Sequence, residues 1–229
     1  MKPSKRRHFG GTDSHGRVRN PVGRSFKSIR GKYPSRKMGR MIQWESQLER
    51  DAILLLEYSS GILAYQEQPR KIIYVIDDKI KTYFPDFEVL HIDRRQGYIE
   101  VKPHEIARRP DQVERFTRIT DKFADEGSYF MVLTEKNIRK EHLLSNLRLA
   151  DRHRSGSIRP CRWAEQRHLF KHILVTTFVD AQLRLQGIEH VWALIADGIF
   201  ITDLNNEITA QTNLLINHTR EKDATNIYF

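Results

Sequence analysis

The stretch YFPDFEVLHIDRRQGYIEVKP, residues 83–103, constrains this chain more than any other. Its two halves are rich in aromatic and β-branched residues around a polar turn, the pattern of paired strands. Yet Asp86 follows Pro85 at the head of the first, and the second ends in Glu100-Val101-Lys102. Glu100 and Lys102 lie two apart, so a strand presents both on one face and turns Val101 to the other, into the core. If the strands pair, Asp86, Glu100 and Lys102 converge on one small volume. Two carboxylates at close range repel unless something positive lies between them. A hard divalent cation, Mg²⁺ with Mn²⁺ as a substitute, relieves that repulsion through carboxylate, water and phosphate oxygens. The lysine adds a second positive charge. It either holds or deprotonates a water, or it stabilises a pentavalent phosphorus. The competing reading is a salt bridge on the surface of a hairpin.

Upstream, in MIQWESQLERDAILLLEYSSGI, residues Trp44, Leu48, Ala52, Leu55 and Leu56 recur at helical spacing. They predict a helix of about fifteen residues that stops at Ser59-Ser60-Gly61. Glu45 and Glu49 fall in the same arc as the apolar residues. A carboxylate there is costly unless it is paired or bound to a metal. Glu49 is the stronger candidate for a third ligand and Glu45 the weaker. The alternative is an exposed helix edge on which Glu49 pairs with Arg50 or Gln43.

The remaining pattern is that of an α/β sheet with helices packed on it. KIIYVIDDKIKTYFPDFEVL reads as a hairpin turning at Asp77-Asp78, and QGYIEVKP as a strand stopped by Pro103. A helix follows Pro110, with Val113, Phe116, Ile119 or Thr120, and Phe123 on one side. SYFMVLTEK is a further strand and KEHLLSNLRLA a further helix. DRHRSGSIRP reads as a linker. HLFKHILVTTFVDAQLRL and IEHVWALIADG read as two helices, and IFITDLNNEITAQTNLLI as two strands turning at Asn205-Asn206. Two helices followed by a hairpin fit a small winged-helix-like domain. The predicted organisation is an arm over 1–40, an α/β domain over 41–150, a linker over 151–164 and the small domain over 165–229.

Charge is distributed unevenly. The formal net charge is +10, and thirteen of the 39 Lys and Arg lie in residues 1–40 beside one acid, Asp13. The remainder holds 26 bases against 28 acids. Arg6, Arg7, Arg17, Arg19, Arg24, Lys27, Arg30, Lys32, Arg36, Lys37 and Arg40 are interspersed with Gly, Ser and Pro. Such a segment has little to bury, and it suits phosphate backbones through counterion release. A solubilising tail is the alternative. His104, just past Lys102, is a further candidate for DNA contact. Residues 165–229 instead hold eight acids against five Lys and Arg, which points to a protein partner. One cysteine, Cys161, excludes an internal disulfide and a cysteine-rich zinc cage. No apolar run approaches the roughly 18 residues of a membrane span. His168 and His172 lie four apart, but no acid completes a metal site with them.

Pro85-Asp86 followed by Glu100-Val101-Lys102 on successive strands matches the pattern of the PD-(D/E)xK nucleases. Ser46-Gln47-Leu48-Glu49, LLLEYSSGI, Gln68-Pro69, Phe84-Pro85-Asp86-Phe87 and Val101-Lys102-Pro103 come in the order of the TnsA family. These are the endonuclease subunits of heteromeric cut-and-paste transposons, CRISPR-associated ones among them. The chain resembles that family over about residues 40–135, and more loosely over 165–229. The resemblance implies a restriction-endonuclease-like mixed sheet flanked by helices, followed by a small winged-helix-like C-terminal domain. It implies a catalytic set of Glu49, Asp86, Glu100 and Lys102. Mg²⁺ or Mn²⁺ would be held by Glu49, Asp86, Glu100 and the backbone carbonyl of Val101. Glu100 departs from the best-known member, which carries glutamine there, toward the more general nuclease glutamate. The implied task is to cleave the 5′ strands at transposon ends in double-stranded DNA. The implied partners are a TnsB-type transposase, which joins the 3′ ends, and a TnsC-type AAA+ ATPase, which contacts the C-terminal region. The expected location is the bacterial cytoplasm, on the nucleoid when active. A restriction or junction-resolving nuclease and a non-catalytic DNA-binding adaptor share parts of this pattern and stay open as alternatives.

Overall fold

In the computed structural model the described residues are 29–76, 79–154, 166–219 and 226–229. Their contacts group into two units, one running to Ile138 and including 224–229, the other Arg139–Asp223. The first contains β1 (Gly31–Ser35), β2 (Arg40–Trp44), α1 (Gln47–Tyr58), β3 (Ile62–Glu67), β4 (Ile72–Ile76), β5 (Lys79–Tyr83), β6 (Phe87–His91), β7 (Gln96–Val101), α2 (His104–Ala107), α3 (Pro110–Asp125), β8 (Tyr129–Leu133) and α4 (Glu135–Ile138).

A four-stranded mixed sheet, ordered β3-β6-β7-β8, organises this unit. β3 and β6 are antiparallel, as are β6 and β7, while β7 and β8 are parallel. A parallel step needs a crossover, and α2 and α3 supply it. β7 lies between two partners, and Gly97 to Val101 are all buried. Gly97 is required by a close approach: a Cβ there would lie 2.1 Å from the Tyr129 ring on the neighbouring strand. α3 packs on β8 and β4. Its Phe116, Ile119 and Phe123 join Ile72, Tyr83, Tyr98 and Phe130 in one aromatic core, with Tyr98 stacked on Phe123 at 4.0 Å. Val113, expected on the same side, is exposed. This is the mixed sheet flanked by helices that the sequence predicts, and it is consistent with a restriction-endonuclease-like fold.

Three local features differ from the expectations. Trp44 belongs to β2 rather than to the helix. Ser46 starts the helix instead, accepting from the Glu49 N–H while the Glu49 carboxylate reaches back to the Glu45 N–H, a reciprocal capping box. β3 is a strand the sequence reading did not separate from its surroundings. Residues 31–44 form the hairpin β1–β2, so the last ten residues of the expected arm are folded.

Buried Glu57 holds that hairpin. Its carboxylate accepts from Ser35 Oγ at 2.6 Å, Tyr65 OH at 2.8 Å, and the N–H groups of Arg36 and Lys37 at 2.9 and 3.1 Å. The Lys37 ammonium in turn donates to the carbonyls of Leu56 and Ser59, where α1 ends. That placement suits both the unpaired carbonyls and the negative end of the helix. At the same junction the Gly61 N–H donates to Asn226 O, and the Tyr228 N–H to Ser59 Oγ.

The second unit holds α5 (Leu143–Arg154), a 3-10 turn (Arg167–Phe170), β9 (Val175–Thr177), α6 (Phe178–Leu185), α7 (Ile188–Ala196), β10 (Phe200–Ile201) and β11 (Asn213–Ile216). The strands form an antiparallel sheet ordered β10-β11-β9. The single helix expected over 168–185 divides because Val175-Thr176-Thr177 favours a strand. Thr177 then caps α6 by accepting from the Asp180 N–H. α5, placed by the sequence reading with the α/β domain, packs on α7. Buried Asn146 on α5 donates to the carbonyls of Leu204 and Asn206. Residues 151–154 are the last turn of α5, while the rest of the expected linker and the Asp77-Asp78 turn lie outside the described residues. Among the described residues no helix is long and apolar enough to cross a membrane.

Replacing Glu57 with alanine leaves the Tyr65 and Ser35 hydroxyls and two backbone N–H groups without their acceptor. Glu57→Ala is therefore expected to lose at least about 2 kcal/mol in urea denaturation. A loss under about 0.5 kcal/mol would show that the hairpin is held by other contacts.

Candidate active site

Strand register explains how the acids of the 83–103 stretch meet. Phe87 pairs with Ile99 across β6 and β7. One step further, Asp86 lies beside Glu100. Asp86 Oδ2 accepts from the Val101 N–H at 2.8 Å, which fixes the carboxylate on the end of the central strand. The Asp86 carbonyl accepts from the Gln68 N–H at 2.8 Å. Gln68 itself sits at φ 41° and sends its side-chain amide to Glu45 Oε1 at 2.9 Å. Gln68 thus ties the Asp86 backbone to the residues that precede α1, a task the Gln68-Pro69 pair did not disclose in the sequence.

Glu100 is 2% exposed and is held at both oxygens. Tyr83 OH donates to Oε2 at 2.5 Å, and the half-buried Lys102 ammonium lies 2.8 Å from Oε1. The expected ion pair therefore exists, but inside the site rather than on an open hairpin surface. The Lys102 N–H continues the sheet by donating to Leu133 O. Glu49 uses its oxygens in the capping box, accepting from the Glu45 N–H at 2.8 Å and from Ser46 Oγ at 3.0 Å. Neither Arg50 nor Gln43 is its partner in these bonds; Arg50 pairs with Asp51.

Electrostatics link these groups. Burial, and then repulsion from Glu100 and Glu49, push the Asp86 carboxyl well above the usual aspartate range, against the pull of Lys102. Burial also raises Glu49, with Glu45 adding repulsion and Lys102 opposing it. Burial works against the Lys102 ammonium, but the charges of Glu100 and Asp86 outweigh it and raise its pKa. Burial, Glu100 and Asp86 push the Tyr83 hydroxyl well up, so it stays a donor. The site is an acidic cluster with one lysine inside it.

Does this set suit a divalent metal? The donors are hard oxygens, and the repulsion raising Asp86 is what a cation between the carboxylates would relieve. The donor chemistry fits. Among the described residues, however, no three acidic, histidine or cysteine side chains stand in a ligating arrangement. Glu100 and Glu49 are turned to the internal partners already named. His168 and His172 likewise form no such group.

Of the residues expected to touch DNA, Arg6, Arg7, Arg17, Arg19, Arg24 and Lys27 lie outside the described residues. Arg30, Lys32 and Arg36 are exposed. Lys37 is engaged at the end of α1. Arg40 makes a two-pronged bond to buried Glu67, at 2.9 and 2.7 Å. His104 opens α2, with its N–H on Glu135 Oε2 and its Nε2 2.8 Å from the Lys136 ammonium.

Because Asp86 ionises less readily in the folded chain than in the unfolded one, folding takes up a proton between the two pKa values. Stability then falls as pH rises across that window. Asp86→Asn removes the charge but keeps an acceptor for the Val101 N–H. In metal-free buffer at pH 7 it is expected to raise Tm by about 2 °C or more, the shift of about 1 kcal/mol in a chain of this size. The gain should shrink toward pH 4. A lower Tm at pH 7 would contradict the repulsion.

Residues 59–135 match the family model of the TnsA-like endonuclease N-terminal domain. No curated protein matches the chain. The matched segment contains Asp86, Glu100 and Lys102 together with β3 to β8, and it begins ten residues after Glu49. Over that segment the chain is similar to the TnsA-like endonucleases, which supports a nuclease of the TnsA type.

Proposed function

We propose that this chain is the metal-dependent endonuclease subunit of a heteromeric transposase and cuts the 5′ strands at transposon ends. The observation that carries the reading is the meeting of Asp86, Glu100 and Lys102 at the end of β7, inside the segment that matches the family. Mg²⁺, or Mn²⁺ in its place, would be held by Asp86, Glu100, Glu49 and the Val101 carbonyl. Bound there, it would polarise a phosphate oxygen and ease deprotonation of a water. Holding a metal asks Glu100 and Glu49 to turn from their present partners.

The chain's own residues have distinct tasks. The Val101 N–H orients Asp86. Tyr83 and Lys102 position Glu100 from its two sides. The carboxylates favour the charged form of Lys102. In that form it would stand as a cation beside the developing phosphorane charge, whereas a metal on the same carboxylates would favour the neutral amine that can take a proton from water. The basic residues near the N-terminus supply sequence-independent affinity for the DNA backbone. The excess of acids over bases in 165–229 suits a protein surface better than a phosphate backbone. A TnsC-type AAA+ ATPase is its proposed partner, and a TnsB-type transposase joins the 3′ ends.

Lys102→Ala is expected to lower 5′-strand cutting by at least about 10²-fold, the usual cost of losing one such stabilising group. DNA binding should persist. With the partner transposase still joining 3′ ends, insertions should become cointegrates. Sequencing the insertion junctions reads this out. Simple insertions at undiminished frequency would rule the function out.

A further inference from the structure

Arg115, on α3, is a cation with no anion beside it among the described residues. Three arginines among the described residues have a buried Nε without a hydrogen-bond partner: Arg70, Arg115 and Arg154. Arg70 pairs with Glu126, and Arg154 with Asp151. Arg115 has no carboxylate partner among the described residues. Its one hydrogen bond is a long contact from Nη1 to Gln112 Oε1 at 3.4 Å. A guanidinium is strongly charged and offers five donors in a planar fork. A buried Nε left without a partner is costly unless a bound group or a water meets it.

Its position suggests what. The guanidinium carbon lies 4.8 Å from the centre of the Tyr83 ring, and the hydroxyl of that tyrosine holds Glu100. The positive charge of Arg115 is felt by both Tyr83 and Lys102. Arg115 therefore flanks the acidic cluster on the side of Glu100 and Lys102. That cluster repels a DNA backbone, so any phosphate brought to it needs a cation at its edge.

We propose that Arg115 binds a backbone phosphate of the DNA next to the scissile one. Its fork matches two phosphate oxygens, a recognition that Lys102, a point charge already paired with Glu100, does not offer. The proposal rests on the nuclease reading of the Asp86 cluster. The bland alternative is packing: Arg115 lies over Tyr83 and 5.8 Å from the Phe116 ring, and could serve only to fasten α3 to β5.

The test uses the full chain, a linear duplex and two variants, Arg115→Met and Arg115→Lys. Thermal unfolding, salt-dependent DNA affinity without metal, and cutting in Mg²⁺ are measured for each. A phosphate contact predicts that Arg115→Met reduces the slope of log affinity against log salt by about 0.9. It also predicts slower cutting, by about tenfold or more. Arg115→Lys should keep the slope, because the charge remains, and should raise KM with little change in Tm. If Arg115→Met does not fold, the Arg115→Lys result decides alone: a lower Tm with unchanged KM means packing and overturns the proposal. Wild-type cutting that both variants match also overturns it, and leaves the nuclease reading intact. A wild type that binds but does not cut by itself, with a slope that still depends on Arg115, supports the phosphate contact, and the nuclease reading is then decided by the insertion junctions of Lys102→Ala with the partner proteins present.

Discussion

One hydrogen bond orders the site: the Val101 N–H to the Asp86 carboxylate at 2.8 Å. It exists because β6 and β7 pair in a register that brings Asp86 beside Glu100, and because the chain leaves β5 through Phe84-Pro85 just before. β7 must be central for this to hold. Its parallel partner β8 fixes the far side, and Gly97 admits the Tyr129 ring that a larger residue would displace. The aromatic core beneath then delivers the Tyr83 hydroxyl to Glu100. A sheet slip by one residue would move every acid to the opposite face.

The cluster works against the stability of the chain that carries it. Asp86 is held near two other carboxylates, at a cost in ionisation that Lys102 only partly offsets. Residues kept in conditions unfavourable to their charge gather at functional sites. Elsewhere in the same unit, buried acids are fully engaged. Glu57 accepts four bonds, and Glu67 accepts both prongs of Arg40 and the Gln43 N–H. The contrast is in charge: Glu57 and Glu67 meet donors, whereas Asp86 also faces the carboxylates of Glu100 and Glu49.

Much of this was legible in the sequence. Runs rich in aromatic and β-branched residues placed β6, β7 and β8, and Pro110 opened α3. The two-residue spacing of Glu100 and Lys102 put both on one side of a strand, where they meet as an ion pair. The start of α1 was misread because Trp44 continues the helical period by accident. The capping box at Ser46 and Glu49 was the better signal, and it was in plain view. Arm residues 31–40 looked unstructured because composition does not reveal Glu57, some twenty residues away, collecting their backbone donors. Tyr83 and Gln68 were missed for the same reason: a tyrosine at a strand end or a glutamine before proline acquires a role only when another strand arrives. Arg115 was hidden among the charges of α3. Nothing local says which arginine of a helix lacks a carboxylate.

The central claim is that Asp86 and Glu100 form a metal-binding cutting centre. Calorimetric titration of Mn²⁺ into the full chain and into Asp86→Ala tests it most directly. The account predicts saturable binding by the wild type that is lost in Asp86→Ala and kept in a variant of exposed Glu105, Glu105→Ala. Equal binding by all three proteins, or none by the wild type, would contradict it.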